Sequence, residues 1–163
     1  MTEYLIDAND ELKRADHLLY VSLKYTRTVD VIRSVIQRLI NAFDFIMNGY
    51  LNQLEENNKI EELPTAPGAK AVTIKKLYAE DSDLIEYMNF YLFMRKLLRA
   101  KYTRSLEFRR HVTMTSTIID PETDNEEIVN VKIDHCLEYY EKTKEFFAKY
   151  KSVVIEEESD LYD

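Results

Sequence analysis

The sequence predicts a mainly α protein: an antiparallel bundle of four to five helices with a β-hairpin before the last helix. Three observations carry that expectation. Apolar residues recur at three- and four-residue steps over two long stretches. Only two glycines and three prolines punctuate 163 residues, too few for a sheet protein rich in turns. After His111 the apolar period falls from helical spacing to alternation.

Taken in order, Leu5, Ala8, Leu12, Ala15 and Leu19 keep helical spacing and predict a first helix ending near Tyr25. It starts either near the N-terminus or at Asn9, a residue suited to capping ahead of Asp10 and Glu11. The clearest segment runs from Thr28 to about Asn57. Val29, Ile32, Ile36, Leu39, Phe43, Ile46, Tyr50 and Leu54 form its stripe, broadened by Val35, Ile40 and Met47. Thr28 is placed to cap it, and Asp30 suits the positive end of its dipole. Such a rod is roughly 40 Å long. Pro64, Pro67 and Gly68 mark a connection, and a short helix is expected from about Ala69 to Ala79. Glu80-Asp81-Ser82-Asp83 breaks and recaps the chain before a second long helix, expected from Asp83 to Arg110. Phe43, Ile46, Phe93 and Leu97 sit at the centres of the two long stripes and are expected in the core.

Beyond His111, Val112, Met114 and Ile118 alternate with threonines and a serine, while Val129, Val131 and Ile133 alternate with Asn130 and Lys132. The polar loop Asp120-Pro121-Glu122-Thr123-Asp124-Asn125 between these β-branched runs makes a hairpin. Asp134 is then placed to cap a last helix carrying Leu137, Tyr140, Phe147 and Tyr150. The length suits a single domain, read as residues 1–155, with 156–163 an acidic tail expected to be solvated.

Composition narrows the classes. Apolar residues at 45% and charged residues at 32% exclude a disordered chain, and no apolar run approaches the roughly 18 residues of a membrane span. A single cysteine, Cys136, rules out an internal disulfide, and Met1-Thr2-Glu3-Tyr4 carries no basic, apolar leader pattern. A cytoplasmic protein is the expectation. There is no glycine-rich phosphate loop and no cysteine pair for zinc. A di-iron bundle needs Glu three residues before His, but Arg14, Phe108 and Lys132 precede His17, His111 and His135. Asp81-Ser82-Asp83 has the spacing of a metal-binding acidic pair, yet it reads more simply as a helix cap. No cofactor or metal is expected.

One stretch concentrates charge. From Arg95 to His111 seven cations (Arg95, Lys96, Arg99, Lys101, Arg104, Arg109, Arg110) face the single acid Glu107, a local +6. The chain as a whole carries −8, which leaves −14 for the rest. Charge gathered this way, with Tyr102 and Phe108 inside it, attracts phosphate; the plain alternative is a solvated helix face. On a continuous helix, Arg95, Arg99, Arg109 and Arg110 lie opposite Phe90, Phe93 and Leu97 and point to solvent. Arg104 falls within about 20° of Phe93 and Leu97, with His111 two turns further along the same line. A guanidinium and an imidazole on a core-facing line either satisfy polar groups at the bundle's end, for instance through Glu107, or line a cleft.

Arg104-Ser-Leu-Glu-Phe-Arg-Arg-His111 resembles the arginine–histidine motif of the HEPN superfamily, the higher eukaryotes and prokaryotes nucleotide-binding domains. Catalytic members often place Asn, Asp or His after the arginine, where this chain has Ser105. Glu11 to Leu19 resembles the first helix of those domains, and Tyr139 to Phe147 their late helix. The resemblance implies a helical bundle that binds RNA, or cleaves it without metal, at a site completed across a homodimer. Arg104 and His111 would then be the catalytic pair, with Lys101, Arg109 and Arg110 holding RNA. The other reading is a non-catalytic helical adaptor that pairs with a nucleotidyltransferase or another protein partner.

Overall fold

The long apolar stripe beginning at Val29 needs cover on several sides, and the architecture follows from supplying it. The structure, a computed structural model, describes residues 2–162. Its elements in chain order are α1 (Thr2–His17), a π-helical turn (Leu18–Ser22), α2 (Leu23–Tyr25), α3 (Val29–Glu56), α4 (Pro67–Leu77), α5 (Ser82–Arg99), β1 (Lys101–Ser105), β2 (Thr113–Ile119), β3 (Glu126–Val131) and α6 (Ile133–Tyr162). α3 lies at the centre and is packed by α1, α4, α5 and α6. Phe43 is fully buried where these helices meet, its ring stacked 4.7 Å from Phe146 of α6 and 5.9 Å from Tyr91 of α5. The Tyr91 hydroxyl escapes this apolar centre by donating to Asp44 at 2.5 Å. Burial of that carboxyl pushes its pKa up despite the hydrogen bond.

Local signals explain where the helices begin. Thr28 Oγ1 accepts from the Val31 N–H at 3.3 Å, and Asp81 accepts from the Leu84 N–H at 3.1 Å while pairing with Lys149 at 3.0 Å. The acidic Asp81-Ser82-Asp83 run is therefore a cap, as its residue types suggest. Pro67 opens α4 at a position where its missing N–H costs nothing. The first helix runs from Thr2 through to Tyr25, and its π turn keeps Leu19 and Leu23 both buried. Before α6, the Lys132 N–H donates to His135 Nδ1 at 3.0 Å; Asp134 lies inside the first turn instead of capping it. Gly49 has a packing reason: a Cβ there would overlap the hydroxyl and ring of the buried Tyr150.

The hairpin expected around Asp120–Asn125 is present as β2 and β3, joined by a third strand on its other side. The sheet has the order β1-β2-β3, antiparallel throughout, so β1 and β3 are its edges. Tyr102, Ser116 and Val129 align across it, as do Arg104, Met114 and Val131. Met114, Ser116 and Val131 are buried, so this face looks toward the bundle. By alternation Lys101, Thr103, Thr115, Thr117, Ile128 and Asn130 share the outer face.

Three expectations need correction. α5 stops at Arg99, eleven residues short of Arg110. Ala100 is extended (φ −68°, ψ 154°), and Lys101–Ser105 pair with β2. Past Leu98 only Tyr102 and Leu106 continue the helical apolar spacing, whereas Tyr102 and Thr103 also suit a strand and Lys101–Ser105 find backbone partners on β2. Phe93 is half-buried at the core's margin, while Phe43, Ile46 and Leu97 are fully buried. Finally, the acidic tail is helical: Glu156 to Asp160 continue α6 as its last turns, exposed to solvent except for the half-buried Glu157. Tyr150 and Val154 are buried on that helix, and Glu157, on the same side, accepts from Gln53 Nε2 of α3. Asp163 lies outside the described residues. Among the described residues no helix is long and apolar enough to cross a membrane.

Candidate nucleic-acid interface

The end of α5 delivers the chain into β1, and with it the cationic stretch onto a strand and a connection instead of a helix. Arg104 and His111 therefore do not share a helical line. Arg104 leaves β1 toward the start of α3, where its Nη1 lies 2.8 Å from Asp30 Oδ1 and 4.0 Å from Glu107 Oε2. Its Nη2 donates to the Tyr102 hydroxyl at 3.2 Å. The Tyr102 ring also receives the Arg33 guanidinium, 4.0 Å from its centroid, and Arg33 donates to the Leu98 carbonyl at 2.9 Å. The guanidinium of Arg104 is thus already engaged by two carboxylates.

Glu107, the one acid in the basic stretch, has a structural task. Its Oε2 accepts from the Val29 N–H at 3.2 Å, satisfying one of the free donors at the N-terminus of α3. Next to it the Phe108 N–H donates to the Arg27 carbonyl at 2.6 Å. Together with the Arg104–Asp30 pair, these contacts pin the β1–β2 connection onto the α2–α3 junction. Both residues flanking Glu107 are in the left-handed region, Leu106 at φ 54° and Phe108 at φ 64°. For residues with a Cβ that conformation costs about 1–2 kcal/mol each. The anchored backbone turns both apolar side chains outward: Leu106 is 49% and Phe108 73% exposed.

Lys101, Arg109, Arg110 and His111 are exposed. Among the described residues, none of Arg99, Lys101, Arg109 or Arg110 takes part in a salt bridge. The His111 carbonyl accepts from Thr113 Oγ1 at 2.8 Å, which fixes the backbone on which its ring is carried. A groove of about 690 Å³ lies along Arg99–Thr103 and the outer face of β2, lined by Arg99, Ala100, Lys101, Tyr102, Thr103, Thr115 and Thr117. It contains cations and hydroxyls and no acid. The adjoining groove toward the hairpin loop is mixed, with Asp120, Glu126 and Glu127 facing Lys96, Arg99 and Lys101. Between these two grooves, the one lined by cations without acids therefore lies on the β1 side of the sheet.

Of the residues singled out in the sequence, Lys101, Arg104, Arg109, Arg110 and His111 all fall on β1 or the connection that follows it. Arg27 and Asp30, which hold that connection in place, and Arg33, which packs on Tyr102, come from the α2–α3 region; of the three the local pattern marks only Asp30, and only as a partner of the helix dipole. Among the described residues no three His, Cys, Asp or Glu side chains are grouped as a metal ion would require. No family model matches the chain, and no curated protein or solved structure matches it either.

Proposed function

We propose that this protein binds RNA through β1, the outer face of the sheet and the β1–β2 connection, as a HEPN-like domain acting as a homodimer. The acid-free cationic groove carries this reading, because it stands on a chain whose remaining charge is strongly negative. Among the described residues Lys101, Arg109 and Arg110 have no salt-bridge partner to surrender before meeting a phosphate. Threonine hydroxyls at Thr103, Thr115 and Thr117 add donors and acceptors suited to sugar and phosphate oxygens.

Within this reading RNA cleavage falls to His111. A neutral imidazole takes the proton of a ribose 2′-hydroxyl while that oxygen attacks the adjacent phosphorus. The 5′-oxygen then departs with a proton from a second acid, leaving a 2′,3′-cyclic phosphate and a 5′-hydroxyl. A second copy of the chain supplies that second acid. Arg104 contributes charge beside the phosphate, but its engagement by Asp30 and Glu107 favours a second reading, a non-catalytic adaptor that binds and does not cut.

The test is titration of labelled RNA at several salt concentrations, with cleavage followed in parallel in the presence and absence of EDTA. Binding is expected to weaken with salt. Removing Lys101, Arg109 and Arg110 together should reduce the slope of log K against log salt by about 2. His111→Ala should abolish cleavage, including the fraction that survives EDTA, and leave binding in place. Binding without cleavage in the parent selects the adaptor reading. No binding by the parent at low salt overturns the RNA reading altogether.

A further inference from the structure

We infer that the β1–β2 connection is a stacking platform for unpaired bases, so that the RNA this protein takes is single-stranded and not duplex. The inference rests on the RNA reading above and specifies its substrate class.

Three observations support it. Phe108 is the most exposed phenylalanine among the exposed large apolar side chains, and Leu106 two residues earlier is exposed beside it. Both are held outward by left-handed backbone that their side chains disfavour, a cost that packing does not repay because neither ring nor isobutyl group is buried. The backbone under them is fixed at Phe108 by the Arg27 carbonyl and at Glu107 by the α3 N-terminus. A ring displayed on a rigid, strained and cation-flanked segment is organised for contact before a ligand arrives.

The flanking charge identifies the occupant. Arg109 and Arg110 follow the ring directly, and Lys101 lies on the strand leading to it. Aromatic rings interleaved with unpaired cations recognise a chain that alternates flat bases with phosphates. A duplex offers the phosphates but keeps its bases stacked on one another, so only an unpaired strand engages both sets of groups.

The experiment compares a labelled, unstructured 2′-O-methyl RNA strand with a blunt duplex of the same length, the modification preventing cleavage during titration. The proteins are the parent, Phe108→Gly, Phe108→Tyr and the Arg109→Ala/Arg110→Ala double variant. Glycine relieves the left-handed backbone, so Phe108→Gly is expected to melt at or above the parent temperature. The parent should prefer the single strand. Phe108→Gly should lose about tenfold or more for the single strand and change little for the duplex, while Phe108→Tyr stays close to the parent. The double variant should weaken both ligands. Unchanged single-strand affinity in Phe108→Gly, with the double variant impaired, overturns the stacking platform and leaves the RNA reading standing. Absence of binding by the parent overturns both.

Discussion

Replacing Glu107 with alanine removes two supports from the start of α3 at once. Its carboxylate accepts the Val29 N–H at 3.2 Å, and it lies 4.0 Å from Arg104. Val29 is fully buried, so its N–H has poor access to replacement water. Leaving a buried donor without its acceptor costs about 1–3 kcal/mol. Withdrawing a negative charge from a helix N-terminus costs about 0.3–1 kcal/mol more. The Arg104 contact is long and partly exposed, and adds little. The expected destabilisation is about 2–3 kcal/mol, or about 5–10 °C in Tm for a domain of this size. Glu107→Gln keeps an acceptor and loses only the charge, so it should cost about 1 kcal/mol or less. Urea unfolding gives both values, provided the m-value is unchanged. Hydrogen exchange at the Val29 amide should accelerate in Glu107→Ala ahead of the rest of α3. A Glu107→Ala protein that melts within about 1 °C of the parent would refute the anchoring of the connection on α3.

Two further outcomes follow from packing. Gly49→Ala should lower stability by about 1–3 kcal/mol even though alanine favours helix, because the new methyl overlaps the fully buried Tyr150; equal or higher Tm would show that Tyr150 has room to move. Ending the chain before Glu156 should cost only about 1 kcal/mol, because the truncation removes chiefly the Gln53–Glu157 hydrogen bond and keeps Tyr150 and Val154 in place. A drop of about 10 °C or more would mean that the final turns of α6 are integral to the core.

The helical scaffold is legible in the sequence because its signal is local. The α3 stripe repeats over 28 residues, and Thr28 and Asp81 announce helix starts with their own side chains. The β2–β3 hairpin is equally readable, since alternation and a polar loop lie within one short window. β1 is not. Lys101-Tyr102-Thr103-Arg104-Ser105 contains good helix formers, and what makes it a strand is pairing with Thr113–Thr117 across the connection. The consequence reaches the site. Arg104 and His111 align only on a helix, so their shared face vanishes with it, while the exposed basic character of Lys101, Arg109 and Arg110 does not depend on helix or strand. The anchors Asp30 and Arg27 are more than 70 positions away from the connection they hold, out of reach of any spacing argument.

The two edges of the sheet carry opposite signs, Lys101 and Arg104 on β1, Glu126 and Glu127 on β3. An edge strand invites a neighbouring chain to extend the sheet, and charge is a common guard against it. A two-fold axis sets each surface against its own copy. Joined at β1, two molecules would oppose cation to cation; joined at β3, carboxylate to carboxylate. Like charge therefore disfavours symmetric pairing of two molecules along either edge strand. Only an offset, head-to-tail meeting of β1 with β3 would be charge-compatible, and that arrangement does not close on itself but grows into a fibre. The side chains that give the two edges their opposite signs therefore limit how these molecules can assemble with one another.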